Sequence, residues 1–208
     1  MYEPFEQSFS LDSEMSEISA HRAPIQSTHD GLSDLFTRFG GASFNRALYR
    51  VMTLDTVEQW KCLINDAFPQ FEGRIFPFSY DWLGRVFAVD SGRREIDGCG
   101  VLLLEPGTGE ALEVPCGVRL FHDDELVNHS NEALAKDFYA KWLSVGGGVP
   151  TRLQCVGYKK PLFLGGKDDL SNLEVVDLDV YWTISGSLIR KAKGLPLGAR
   201  ITTAKITK

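Results

Sequence analysis

The chain has 208 residues, 43% hydrophobic and 24% charged, with a formal net charge of -6. That is enough length and apolar content for one core or two small lobes, and no apolar run approaches the ~18 residues of a membrane span. Of the 22 Lys and Arg, six fall between 189 and 208, where there is no acid; the residues before them carry 16 against all 28 acids, a net of -12. Such a body repels phosphate, which excludes direct nucleic-acid binding, and it attracts a basic protein. The acidic start Met1-Tyr-Glu-Pro-Phe-Glu has no basic region followed by an apolar stretch, so the chain is expected to be cytoplasmic.

Residues 1–27 are polar and acidic, with too few apolar side chains to repay ordering, and are expected as a flexible tail; a short docked helix or strand is the alternative. A helix over 30–39 follows from Leu32, Leu35, Phe36 and Phe39 on one face, with Thr28 or Asp30 as cap and Gly40-Gly41 as stop. A strand is expected over 47–52. A second helix spans 56–68, with Val57, Trp60, Ile64 and Ala67 as its stripe, and Pro69 ends it. Two strands, 75–80 and 82–90, meet around Asp81, and a hairpin joins 99–105 to 111–115 through Pro106-Gly-Thr-Gly. These make an antiparallel meander of about four strands. A third helix is expected over 131–143, followed by a joint at Gly146-Gly-Gly148. Strands at 153–158 and 173–180 flank a Gly165-Gly166 turn. A last helix over 182–192 should bury Ile184, Leu188 and Ile189, and 200–206 reads as an edge strand. The fold class is α+β: an antiparallel central sheet with flanking helices, in two closely packed lobes, 28–145 and 146–208.

Catalytic patterns are lacking. Cys62, Cys99, Cys116 and Cys155 have no zinc spacing and read as reduced, mostly buried side chains. Gly165-Gly166-Lys167 lacks the first glycine of a phosphate loop, and Asp168 and Asp169 oppose an anion. His122-Asp-Asp-Glu125 with His129 is the best metal candidate, but no further ligand cluster supports it. No Ser lies in a nucleophile elbow. The chain therefore reads as a binding protein with no metal and no cofactor. The side chains offered to a partner are Asp123, Asp124 and Glu125 in one acidic segment, Lys167, Asp168 and Asp169 in another, and Asp81 and Trp82, because a Trp beside a turn can face a cleft. Trp60, Trp142 and Trp182 sit on apolar stripes and read as core.

Three long motifs carry a resemblance. Phe78-Ser-Tyr-Asp-Trp-Leu-Gly-Arg-Val-Phe-Ala-Val-Asp90 resembles the strand pair of bacterial GAD-like domains, and Leu104-Glu-Pro-Gly-Thr-Gly-Glu with Glu113-Val-Pro is similar to their next hairpin. Lys160-Pro-Leu-Phe-Leu-Gly-Gly-Lys-Asp-Asp-Leu-Ser-Asn-Leu-Glu174 with Asp179-Val-Tyr-Trp182 resembles the C-terminal domain of type VI secretion DNase immunity proteins. A looser likeness extends to the SUKH superfamily of immunity and scaffold proteins. The resemblance implies an immunity protein whose partner is a cognate basic toxin, often a nuclease, and it carries over no catalytic residue. A cytoplasmic scaffold of SUKH type without a toxin target is the alternative.

Overall fold

The structure, a computed structural model, describes residues 1–13 and 31–193. Strands β1 (Ser43–Phe44), β2 (Tyr49–Val51), β3 (Ile75–Asp81), β4 (Val86–Glu95), β5 (Gly98–Glu105) and β6 (Glu110–Val114) form one antiparallel sheet in chain order. The expected meander is there, extended by β1 and β2, which are too short to show a period of two. A bulge between Pro77 and Ser79 resets the phase of β3. Phe78 thereby reaches Phe121 and His122 on one side of the sheet, while Tyr80 stacks on Trp60 on the other.

Helices α2 (Leu32–Phe39) and α3 (Val57–Ala67) bury the faces their spacing predicts. The proposed caps Thr28 and Asp30, and the edge strand at 200–206, lie outside the described residues.

The N-terminus departs from a flexible tail. Glu3–Ser8 forms α1, and Tyr2, Phe5 and Phe9 are buried. Phe5 stacks on Phe9 at 4.6 Å and meets Phe39, Phe44, Tyr49 and His122 edge-on at 5.0–5.9 Å. Behind α1, Leu11 bridges Phe44, and Asp12 accepts from Arg46 N, Ala47 N and Ser43 Oγ, each at 2.8 Å. These bonds hold Asn45, Arg46 and Ala47, three successive left-handed residues that shorten the expected strand at 47–52 to β2. Three buried aromatics in the first nine residues repay the entropy of ordering them; residues 14–27 of the expected tail lie outside the described residues.

The single helix expected at 131–143 is broken. Val118–Leu120 (α4), a π-helical turn Phe121–Glu125 and Leu126–Asn128 (α5) run together. Ser130–Leu134 (α6) and Lys136–Ser144 (α7) follow, separated by Ala135 in a left-handed conformation at φ 50°. The break leaves carbonyls for two buried donors: Leu134 O accepts from Trp82 Nε1 at 2.8 Å and Ala133 O from Arg85 Nη2 at 2.9 Å.

Beyond the glycines, β7 (Gln154–Tyr158) and β8 (Leu173–Asp177) pair antiparallel in a second sheet, and α8 (Leu178–Ala192) starts earlier than expected. The buried face of α8 is Leu178, Tyr181, Trp182, Ser185, Gly186 and Ile189; Ile184, expected inward, is 39% exposed. Gly186 fixes that face, because a Cβ there would come within 3.2 Å of Ala67 on α3.

Candidate functional site

Asp81 and Trp82 do not form a docking surface: both are fully buried. The hairpin turn that holds them is the hub of the molecule. Asp81 accepts from Leu83 N and Arg85 N at 3.0 Å and from Arg85 Nε at 2.6 Å. Trp82 packs on Phe138 and Tyr139, and its carbonyl accepts from Val156 N at 2.7 Å. Gly84 has φ 72°, and a Cβ there would meet Cys155 Sγ at 2.8 Å; its carbonyl accepts from Trp182 Nε1 at 2.7 Å. Burial pushes the Asp81 carboxyl up, against the pull of Arg85. Burial also works against the Arg85 charge, but the carboxylates of Asp81 and Glu105 outweigh it and the net shift is upward. Three donors on one carboxylate accommodate the ionised form, since a protonated acid would present a hydrogen to one of them.

The two acidic segments separate. Asp123 is half-buried and accepts from Tyr2 N at 3.2 Å, so it anchors the N-terminus. Asp124 is exposed and accepts from Asn128 at 2.6 Å. The Cys116 thiol is pushed up to about 12, by burial first and then by the negative charges of Glu125, Asp97, Glu95 and Asp124. Burial raises Cys155 as well, and of the four cysteines only Cys62 is exposed.

Lys167, Asp168 and Asp169 lie in the connection from β7 to β8. Asn172 holds its base, donating to Lys160 O at 2.8 Å and Lys167 O at 2.9 Å. Gly166 is required there, because a Cβ would fall 1.9 Å from Lys160 O. Asp169 caps a short 3-10 turn through Ser171, whose hydroxyl and amide hold its carboxyl below the usual range. Asp168 accepts from Tyr158 Oη at 2.7 Å and lines a polar cleft of about 420 Å³ with Arg85, Glu105, Asn131, Asp137 and Lys141. The fold thus joins Asp168 to Asp137 of the other acidic segment and to the edge of the Asp81–Arg85 hub. It does not bring Asp123, Asp124 or Glu125 to that cleft.

A second groove, about 340 Å³, opens between the N-terminal ends of α3 and α8. Trp60, Leu63, Tyr80, Leu153 and Leu178 make its apolar wall, and Asp177 and Asp179 stand on its rim. Sequence reasoning missed it because it treated Trp60 only as core. The signal was Leu153, an apolar residue between Arg152 and Gln154 that ends up 78% exposed.

His122 has no free ring nitrogen for a metal. It is fully buried, with Nδ1 on Val118 O at 2.7 Å and Nε2 on the Tyr49 hydroxyl at 2.7 Å. Burial lowers its pKa to about 4 from the ordinary 6.5. Between those values the unfolded chain binds a proton that the folded chain refuses, so stability falls as pH drops from 6.5 towards 4. The full loss is about 3 kcal/mol. Urea unfolding at pH 7.5 and pH 4.5 measures it, and His122→Gln should reduce the pH slope relative to the wild-type chain.

Among the described residues no helix is long and apolar enough to cross a membrane, and no group of three His, Cys, Asp or Glu could hold a metal. A mixed helix and strand protein with a buried ion-pair hub and two solvent-facing clefts is the class this geometry defines. Residues 121–189 match the family model described as T6SS immunity protein Tdi1, C-terminal, the type VI secretion immunity domain that the sequence resembles. The crystal structure of Atu4351 from Agrobacterium tumefaciens shares the fold, with a TM-score of 0.61 and 15% identity over 89% of this chain and 88% of that one. No curated protein sequence matches.

Proposed function

We propose that this chain is a cytoplasmic immunity protein that binds and neutralises a type VI secretion toxin, a basic DNase, by covering its DNA-binding or active surface. The observation that carries the reading is the immunity-domain match over 121–189. That segment supplies Asn131, Asp137, Lys141, Tyr158 and Asp168 of the polar cleft and Leu153, Asp177 and Asp179 of the groove. An acidic body suits a partner whose own ligand is a polyanion, because carboxylates compete for the Lys and Arg that would hold phosphate. Asp168 and Asp137 at the cleft, with exposed Lys167 beside it, are the side chains we assign to contact, with Asp124 and Glu125 on a separate flank. We take 28–145 as a GAD-like lobe and 146–208 as the C-terminal lobe; the family match spans that division. The protein acts here by occupation and carries out no reaction.

The test is co-expression with a secreted basic effector, sought first among the neighbouring genes, followed by an in vitro assay of DNA cleavage. The expected result is survival of the host and loss of cleavage at an equimolar ratio. A purified effector that stays fully active under stoichiometric excess of this chain would falsify the reading.

A further inference from the structure

Leu153 presents an apolar side chain to water from a fixed position. Its carbonyl accepts from Leu178 N at 2.9 Å, and the neighbouring Arg152 carbonyl accepts from Tyr80 Oη at 3.0 Å. These bonds fix the backbone that carries the side chain beside the start of α8. Beside it the groove of about 340 Å³ is floored by Trp60 and Leu178, a volume at the lower end of pockets that enclose a ligand, typically about 300–1,000 Å³. Asp177 and Asp179 are exposed on the rim, and among the described residues neither has an ion-pair partner. Arg152 also lines the groove, but its guanidinium donates to Gly41 O at 2.6 Å and to Val51 O at 3.2 Å. An apolar wall with two exposed carboxylates on its rim is complementary to a large apolar side chain flanked by cations. A second copy of this chain would bring two acidic rims together, which like charge opposes, and a nucleic acid meets the same repulsion.

We propose that this groove is a docking site for a basic peptide segment of the partner protein, which inserts one leucine-sized or aromatic side chain against Trp60 and Leu153 while its Lys or Arg residues pair with Asp177 and Asp179. That the partner is a toxin rests on the immunity reading; the chemistry of the groove does not. The occupied volume suits one or two such side chains, so the groove acts as an anchor within a larger interface.

The test uses the full chain and three synthetic peptides, followed through the Trp60 indole N–H signal by NMR and assigned with Trp60→Phe. Ac-Lys-Arg-Leu-Leu-Arg-Lys-NH2 should shift that signal saturably. The same peptide with Ser-Ser in place of Leu-Leu, and one with Glu and Asp flanks, should not. Leu153→Asp, and Asp177→Asn with Asp179→Asn, should each weaken binding tenfold or more with an unchanged melting midpoint, since all three positions are exposed. Absence of a saturable shift, an equal response to the serine peptide, or full binding by Leu153→Asp would overturn the proposal. So would a Trp60 shift that grows with protein concentration alone, which means a second copy, or one released by ending the chain at Lys193, which means its own C-terminus. In the DNA-cleavage assay, an effector inhibited equally by the wild type and by Leu153→Asp overturns the groove and leaves the immunity reading standing; an effector inhibited by neither overturns that reading.

Discussion

Replacing Arg85 with methionine lowers the folding free energy by about 3–5 kcal/mol, the cost of leaving one partner of a buried pair uncompensated. Arg85 is only 7% exposed and Asp81 not at all, so the carboxylate left behind is largely withheld from water. The substitution removes the 2.6 Å contact to Asp81 and the bond to Ala133 O that supports the break between α6 and α7. Urea unfolding should show the midpoint falling with the slope unchanged. Asp81→Asn in the same chain should restore much of the loss, because an amide keeps one acceptor oxygen for the Leu83 and Arg85 amides without a stranded charge. The deficit of the single variant should also shrink at low pH, as the stranded carboxylate protonates. An equal deficit in the single and double variants would show that the ion pair contributes nothing beyond packing.

That hub explains why Asp81 and Trp82 read as partner contacts in the sequence and are buried in the fold. The run Tyr80-Asp-Trp-Leu-Gly-Arg85 has the composition of an exposed turn: a charge, a glycine and an aromatic between two strands. Turns are usually wet because their backbone groups need partners. Here the partners arrive from distant parts of the chain, at Leu48, Leu134, Val156 and Trp182. Nothing local in the sequence announces them. The meander, α2 and α3 were legible because each is specified by periodicity within its own residues. The break at Ala135 was not, since alanine carries no helix-stop signal and the cause lies in Trp82 and Arg85.

The candidate site divides in the same way. Charge showed that the body is acidic but could not show which acids share a surface. Asp168 and Asp137 meet at one cleft only because the β7–β8 connection folds against α7. Asp123 looked like its exposed neighbours in sequence, yet it is occupied by the Tyr2 amide. Asp169 is likewise engaged, in capping its own turn. Leu153 alone hinted at the groove in the sequence, because the rest of its wall comes from α3, β3 and α8, which are far apart in the chain.

The first nine residues supply the second large effect. Phe5→Ala should destabilise the chain by about 3–5 kcal/mol, the usual range for a fully buried phenylalanine. Phe5 is 0% exposed and touches five other rings: Phe9 just past α1, one each on α2, β1 and β2, and His122. Removing it opens a cavity where the two ends of the sheet's aromatic layer meet, and α1 is too short to close over it. Phe5→Leu should cost less, because most of the volume stays filled. Glu3→Gln, at a side chain 79% exposed, is the control and should leave the midpoint unchanged. Asp12→Ala tests the other half of the attachment, since it removes the acceptor for the Arg46 and Ala47 amides of the left-handed turn and for the Ser43 hydroxyl on β1, and should cost about 1–3 kcal/mol. Amide exchange in β1 and β2 should rise in both variants before that in β4 and β5, because those two strands depend on the N-terminus for one flank. A chain starting at residue 14 that kept the wild-type midpoint would mean that these contacts form without stabilising the fold, and the aromatic layer around His122 would then have to be held from the sheet side alone.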